Sequence, residues 1–199
     1  AYKKHNTGIN CLSMSIILSE CLLASGIYAR VVYMMPKAAD DGDNHVVAEA
    51  FIAEWNKWIM LDPTYGSYCC DSSGEVLNLY EIRKRIINNE EYFFSDKLNY
   101  NGETVSDLAD LKEYYAKNLF FLRSKARQEY GMHREYGDIV EMAPINFDVH
   151  ERMLLNLQYR IHEYGECDLF TDWMSYESQL DNRYVDIESF YEPPCDREN

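Results

Sequence analysis

The chain has 199 residues, of which 47% are hydrophobic and 27% are charged, and its formal net charge is −15 at pH 7. Because nucleic acids and anionic membranes are bound through clusters of Lys and Arg, this acidic balance excludes both as expected partners. The length and apolar content suffice for one hydrophobic core, and no stretch approaches the roughly 20 apolar residues of a membrane span.

The first predicted element is a long apolar helix. Asn10 is a favourable N-cap residue, which places Cys11 in the first turn. Residues 12–25 carry apolar side chains on nearly every side of a helix, and this distribution predicts a buried element. Gly26 supplies the C-terminal end of the helix.

Three antiparallel strands are predicted next, from β-branched and aromatic residues and from alternation of the side chains. They span residues 28–35, 45–52 and 57–62, and the polar loop 37–44 joins the first two. The second strand begins at His45, and the third ends at Asp62, which precedes a proline.

The length of the second turn decides how close Asp62 comes to His45. With a four-residue turn (53–56), Asp62 falls opposite Val47, which is the diagonal neighbour of His45, about 7–8 Å away. With a two-residue turn, Asp62 falls opposite Glu49, on the same face but farther from the imidazole. In both cases the carboxylate and the imidazole share one face of the sheet.

The second half of the chain predicts further helices and strands. Helices are expected at residues 76–88 and 105–117, strands at 118–122 and 138–142, and a loop at 99–104. Residues 153–161 alternate between apolar and polar side chains, which predicts a strand, although Leu154, Leu157 and Ile161 would also suit a helix.

A single domain is expected over residues 1–199, because no internal repeat, low-complexity tract or linker is present. Within it, residues 8–66 form the predicted catalytic core, residues 67–180 add helices and strands, and residues 181–199 form an acidic tail. The chain begins with Ala and lacks the apolar core of a signal peptide, so the natural chain is either longer or processed.

The cysteines and histidines outside the core predict neither a disulfide framework nor a metal site. Cysteines occupy positions 11, 21, 69, 70, 167 and 195 without a Cys-x-x-Cys pair, which favours free thiols and a cytoplasmic location. Zinc-binding spacing is absent at His133, His150 and His162, and the EF-hand pattern is absent around Asp40, Asp41 and Asp43. We therefore expect no metal and no cofactor.

Three residues of the core have the chemistry of a thiol nucleophile and its partners. A cysteine at a helix N-terminus, such as Cys11, is favoured as a thiolate by the helix dipole. His45 would act as general base and then as acid, Asp62 would orient the imidazole, and the backbone N–H of Cys11 could donate to an oxyanion. Taken singly, a core thiol, a solvated imidazole and a turn-shaping carboxylate are the ordinary explanations.

Three motifs over residues 8–66 give the chain its resemblance to a known family. They are Gly8-Ile9-Asn10-Cys11 at the helix start, the pattern His-Val-x-x-Glu-x-Phe-Ile from His45, and Trp-x-x-x-Asp-Pro-Thr ending at Thr64. In this order they resemble the transglutaminase-like superfamily, in its bacterial members. The resemblance implies an α+β, papain-related fold in which a buried helix carrying Cys11 packs on an antiparallel sheet carrying His45 and Asp62.

The same resemblance implies a Cys-His-Asp triad that forms a thioester with a peptide or protein substrate. We expect hydrolysis, as by a peptidase or amidase, because the polar loop 39–44 should keep the side of His45 wet. Amine transfer of the transglutaminase type and a non-catalytic binding or scaffold module are the alternatives. Some family members draw on upstream sequence for a second oxyanion donor, whereas only ten residues precede Cys11. Either Asn10 or Asn6 supplies this donor, or the natural chain is longer, or the protein is inactive as given.

Overall fold

A computed structural model describes residues 9–96, 98–100, 103–125, 139–165 and 183–194 of the chain. These residues form an α+β structure with a six-stranded sheet and several helices. The helices are α1 (Cys11–Ala24), α2 (Leu79–Asn88), α3 (Leu108–Asn118), α4 (Val149–Tyr164) and α5 (Ile187–Phe190), with a 3-10 turn at Ala53–Trp55. In the described part of the chain, no helix combines the length and apolarity needed to cross a bilayer.

The large sheet has the strand order β10-β9-β8-β1-β2-β3. Its strands are β1 (Ala29–Met35), β2 (His45–Ile52), β3 (Lys57–Leu61), β8 (Phe121–Lys125), β9 (Ile139–Met142) and β10 (Arg183–Tyr184). All neighbours in it are antiparallel except β9 and β10. Two small antiparallel pairs complete the described strands: β4 (Cys69–Cys70) with β5 (Phe93–Phe94), and β6 (Asn99–Tyr100) with β7 (Glu103–Thr104).

The register between β2 and β3 is the one predicted for a four-residue turn. Ile52 pairs with Lys57 and Ala48 pairs with Leu61, so Asp62 follows opposite Val47. Asn56 closes the turn in the left-handed region, with φ at 49°. The predicted register is therefore confirmed, and Asp62 is the diagonal cross-strand neighbour of His45.

The main core lies between the sheet and helices α2 and α3. Buried apolar side chains from both helices pack with residues of β1, β2, β3 and β8, among them Met34, Val47, Met60, Leu79, Ile82, Leu111, Tyr115 and Leu122. Helix α1 packs separately against β1 and β2. The Ser15 hydroxyl of α1 donates to the carbonyl oxygen of Val46 at 2.9 Å, which fixes the helix along the first half of β2.

The prediction that α1 is buried on all sides is wrong. Its buried side chains are Ser15 and Ser19, while Ile17 is 53% exposed and the Cys21 thiol also faces outward. Small serines let the helix backbone approach the strands closely, and the hydroxyl of Ser15 satisfies a strand carbonyl in doing so. Apolar residues all around a helix cannot indicate which side makes that close approach.

The strand predicted at residues 153–161 is also wrong, because this segment lies inside helix α4. Asp148 caps the helix by accepting a hydrogen bond from the backbone of Glu151 at 2.9 Å. Two polar residues on the packed side, Arg152 and Asn156, donate to backbone carbonyls of residues 38 and 39. Because these buried positions are polar, the apolar residues of the segment fit a strand as well as a helix.

The other predicted elements are confirmed with shifted ends. Strands β1 and β9 lie where expected, helices α2 and α3 begin three residues later than predicted, and β8 begins at Phe121 rather than at residue 118. The predicted loop 99–104 contains the short strands β6 and β7. Residues 183–194, from the predicted acidic tail, add β10 to the sheet and bury Phe190 in the core.

Candidate active site

Cys11 is the first residue of α1, at the end of the helix that lies beside the start of β2. Asn10 is the N-cap, and its Oδ1 accepts a hydrogen bond from the backbone N–H of Ser13 at 2.9 Å. The Cys11 thiol is free and half-buried, and it lies within hydrogen-bonding reach of His45. The capped helix end therefore holds the sulfur against the imidazole.

The surroundings of Cys11 favour the thiolate. Burial alone would raise the pKa of the thiol, but the hydrogen bond and the charge of His45 lower it. The backbone amides of Val46 and Leu12 act in the same direction. The pKa of Cys11 is consequently below its ordinary value, as expected for a thiol at a helix N-terminus beside a cation.

His45 and Asp62 form a buried pair. The distance between Nε2 of His45 and Oδ2 of Asp62 is 2.6 Å, and the two residues are 2% and 1% exposed. Burial disfavours the imidazolium, but the hydrogen bond and charge of Asp62, with a further contribution from Cys11, raise the pKa of His45 to about 9. With Nε2 engaged by Asp62, Nδ1 is the ring nitrogen left for the thiol. The lowered pKa of Cys11 and the raised pKa of His45 both favour a thiolate beside an imidazolium.

The backbone that follows β3 fixes the carboxylate of Asp62. Asp62 and Ser67 exchange two backbone hydrogen bonds of 2.7 and 2.9 Å, which close the turn between them. Inside this turn, Oδ1 of Asp62 accepts from the amides of Thr64 at 2.9 Å and Tyr65 at 3.2 Å. The backbone amides of the turn therefore fix one oxygen of the Asp62 carboxylate. The other oxygen, Oδ2, faces the imidazole.

A second side chain shares that oxygen. The hydroxyl of Tyr115 donates to Oδ2 of Asp62 at 2.5 Å, and Tyr115 is fully buried. The sequence predicts a helix over residues 105–117 but does not predict this contact. The signal available in the sequence was a tyrosine four residues after the core residue Leu111, on the buried side of α3.

Three tyrosine rings surround the imidazole of His45. Their centroids lie 5.7 Å (Tyr65), 5.4 Å (Tyr114) and 5.9 Å (Tyr115) from the His45 ring. Tyr65 and Tyr114 meet the imidazole edge to face and are themselves half-buried. Burial and the nearby Asp62 charge raise the pKa of Tyr65 to about 12, so this wall of the site stays uncharged at neutral pH.

The loop before His45 is held by the helices on either side of it. Lys117 of α3 bridges Asp41 and Asp43, with both Nζ–Oδ2 distances at 3.0 Å. From α4, Arg160 donates to the carbonyl oxygen of Gly42. Asp43 nonetheless keeps 57% of its side chain exposed, so the rim of the site on this side is polar.

The remaining predicted candidates lie apart from this cluster or carry another role. Asn10 is engaged as the N-cap of α1, whereas Asn6 and His133 lie outside the described residues. His150 and His162 belong to α4, and within the described ranges no group of three or more His, Cys, Asp or Glu could hold a metal ion. Cys69 and Cys70 are free thiols, and burial raises the pKa of Cys69 well above its ordinary value.

Comparisons of the chain with protein-family models, with curated proteins and with solved structures find no match.

Proposed function

We propose that the protein is a cysteine-dependent acyl-transfer enzyme that hydrolyses an amide or peptide bond. The observation that carries the proposal is a half-exposed thiol at a helix N-terminus that interacts with a buried imidazole, whose Nε2 pairs with a buried carboxylate. This is the arrangement of nucleophile, base and orienting group found in triads on unrelated folds. Cys11, His45 and Asp62 have these three roles.

In the acylation step, the Cys11 thiolate attacks the carbonyl carbon of the amide. As the C–S bond forms, the oxyanion can accept a hydrogen bond from the backbone N–H of Cys11. The C–N bond then breaks, and the imidazolium of His45 transfers its proton to the departing nitrogen. A thioester on Cys11 and a neutral imidazole remain.

In the second step, the neutral imidazole of His45 takes a proton from water, and the oxygen attacks the thioester carbonyl. The C–S bond breaks, the Cys11 thiolate returns, and His45 is again an imidazolium. Water is favoured as the acceptor because the rim before His45 is polar, with the carboxylate of Asp43 exposed.

The architecture agrees with the resemblance to the transglutaminase-like superfamily. A helix that begins at the cysteine packs on antiparallel strands, of which one begins at the histidine and the next ends at the aspartate. A binding module that keeps the fold without turnover would have no need of an accessible thiol. The half-exposed Cys11 with its lowered pKa favours the enzyme.

Amine transfer is the second candidate, and the tyrosines beside His45 are the observation that favours it. The rings of Tyr65 and Tyr114 could exclude water from one side of the imidazole, which an amine acceptor requires. The exposed carboxylate of Asp43 could attract a cationic amine. Both features are compatible with hydrolysis, so the choice depends on which acceptor reacts.

The test is an acceptor competition on a mixed library of peptides that contain amide side chains. The protein is incubated with the library and an excess of a labelled primary amine, and mass spectrometry measures hydrolysed and amine-linked products. Cys11→Ala is the inactive variant, and Cys21→Ala is the matched control, since Cys21 is an exposed thiol on the same helix.

We expect hydrolysed product that Cys11→Ala abolishes and Cys21→Ala preserves. Predominant amine adduct with the same dependence on Cys11 would assign the second candidate. Product formation that survives Cys11→Ala, or no product from any peptide together with an unreactive Cys11 thiol, would overturn the enzyme proposal and favour the binding module.

A further inference from the structure

Oδ2 of Asp62 has two hydrogen-bond donors, and they have different consequences for the imidazole. His45 Nε2 lies 2.6 Å from this oxygen, and the hydroxyl of Tyr115 lies 2.5 Å from it. A carboxylate oxygen that accepts a strong hydrogen bond from a hydroxyl has less negative charge to offer a second donor. The tyrosine and the imidazole therefore compete for the same oxygen.

The orientation of the Asp62 carboxylate does not depend on this tyrosine. Its other oxygen, Oδ1, is fixed by the amides of Thr64 and Tyr65, and the two backbone hydrogen bonds with Ser67 hold the turn. Removal of the Tyr115 hydroxyl would therefore leave the carboxylate in place and alter the charge that Oδ2 presents to His45.

Tyr115 is suited to act as a permanent donor. It is fully buried in the main core, and its ring packs edge to face against Phe94 at 5.1 Å between centroids. Burial and the charge of Asp62 raise the pKa of Tyr115 well above its ordinary value, so the hydroxyl keeps its proton throughout the working range.

We propose that Tyr115 is a positioning residue that shares Oδ2 of Asp62 with His45, limits how tightly Asp62 holds the imidazolium, and so leaves the proton of His45 free to move to the leaving nitrogen. Its catalytic consequence rests on the proposed function. The coupling from Tyr115 through Asp62 to His45 is a property of the site itself, and it can be measured without a substrate.

The test compares Tyr115→Phe with Tyr92→Phe across pH. Tyr92 is a matched control because it is a buried tyrosine of the same core, 4% exposed, whose hydroxyl has no hydrogen-bond partner within the described part of the chain. The readout is the rate at which iodoacetate alkylates Cys11, followed by mass spectrometry of the Cys11 peptide. The reagent is anionic, so its rate falls at alkaline pH when the imidazolium of His45 loses its proton.

For Tyr115→Phe we expect this alkaline limb to move up by about one pH unit, because Asp62 then holds the imidazolium more tightly. For Tyr92→Phe we expect no movement. If turnover is found, Tyr115→Phe should also lower kcat at neutral pH by about tenfold, since the proton leaves His45 less readily. An alkaline limb that is unchanged, lowered, or moved equally by Tyr92→Phe would overturn the proposal.

A second substitution at Tyr115 should shift the alkaline limb in the opposite direction. It provides a test that does not depend on whether the Tyr115→Phe variant folds. Site-specific replacement of Tyr115 by 3-fluorotyrosine keeps the ring and strengthens the hydroxyl as a donor. We expect the alkaline limb to move down, and a limb that stays in place or moves up would contradict the proposal. Failure of the proposed function would appear separately, as the absence of Cys11-dependent turnover together with an intact alkaline limb.

Discussion

Strand β2 carries two buried polar clusters on one face. They differ in whether a side chain of the cluster can exchange a proton during a reaction. His45 begins the strand and contacts Cys11 and Asp62. Glu49 lies four residues later and forms an ion pair with Arg30, with Oε2 at 2.7 Å from Nη2 and 3.1 Å from Nε. The His45–Asp62 pair and the Glu49–Arg30 pair are both buried. His45 and Glu49 both belong to the motif His-Val-x-x-Glu-x-Phe-Ile.

The Glu49 cluster fixes the C-terminal segment to the sheet. Oε1 of Glu49 accepts from the backbone of Leu79 and from the hydroxyl of Tyr191, both at 3.1 Å. The guanidinium of Arg30 donates to the carbonyl oxygen of Phe190 at 2.6 Å. It also lies over three aromatic rings, those of Trp58, Phe190 and Tyr191. Each of these contacts joins Arg30 of β1 or Glu49 of β2 to another segment of the fold.

The comparison gives a reason why buried charge alone is a poor criterion for choosing a candidate site. An imidazole can take up and release a proton during a reaction, whereas a guanidinium does not serve as a base or an acid in this way. The His45 cluster also reaches solvent through the half-exposed Cys11, and the Glu49 cluster contains no nucleophile. The His45 cluster therefore differs from the Glu49 cluster in having an exchangeable proton next to an accessible nucleophile.

The largest expected effect comes from removing His45. His45→Ala should lower Cys11-dependent turnover by about 10³-fold or more, because it removes both the base and the cation beside the thiolate. In the same variant, the pKa of Cys11 measured by alkylation should rise toward the ~8.5 of a free thiol. An alkylation profile identical to that of the unaltered protein would show that the two side chains are not coupled.

Removing Arg30 should produce the opposite pattern, a large loss of stability without a change in the thiol. Arg30→Met leaves the buried carboxylate of Glu49 without its cation, which should cost about 3–5 kcal/mol in the free energy of unfolding. Denaturant unfolding measures this loss, and alkylation of the folded fraction should give an unchanged pKa for Cys11. The double variant Arg30→Met, Glu49→Leu is the control, and it should recover part of the stability.

The two helix caps offer a smaller, matched test. Asn10 caps α1 at the His45 cluster, and Asn78 caps α2, whose first residue donates its N–H to Glu49. Asn10→Ala and Asn78→Ala should each destabilise the protein by about 1 kcal/mol. Only Asn10→Ala should also raise the alkylation pKa of Cys11, since it loosens the helix turn that carries the thiol. Equal effects of both variants on the thiol would contradict this assignment.

The sequence predicted where the three candidate residues lie better than it predicted the packing around them. The positions of Cys11, His45 and Asp62 followed from a cap, an alternating strand and a four-residue turn, which are local signals. Tyr115 lies 53 residues from its partner Asp62, and no local pattern links a helix tyrosine to a distant carboxylate. This contact depends on how α3 packs against the sheet.

The packed sides of α1 and α4 could not be predicted for a related reason. Ser15 and Ser19 form the buried side of α1, and Arg152 and Asn156 lie on that of α4. Their burial is stabilised by hydrogen bonds, among them those to the carbonyls of Val46 and of the loop before His45. Hydrophobic periodicity identifies a face that packs through apolar contact, and it misses a face that packs through such polar contacts.

The smallest expected effect concerns how stability depends on pH. The pKa of His45 is raised from 6.5 to about 9 in the folded protein, so its contribution to stability is fully present below pH 6.5 and is lost as pH rises through 9. The pKa of Cys11 is lowered, so its contribution has the opposite sign, present above the pKa of an unfolded thiol and lost as pH falls.

In the unaltered protein these two contributions oppose each other, because folding raises the pKa of the imidazole and lowers the pKa of the thiol. Cys11→Ala removes one of them and leaves the pair of His45 with Asp62. The free energy of unfolding of Cys11→Ala should therefore fall more steeply above pH 6.5 than that of the unaltered protein, as measured by urea unfolding at each pH. Because the contribution of Cys11 to the raised pKa of His45 is also lost, this fall should end below pH 9 in the variant. Cys21→Ala, which removes an exposed thiol from the same helix, should keep the shallow dependence. Parallel pH profiles for Cys11→Ala and the unaltered protein would show that the thiol and the imidazole titrate independently.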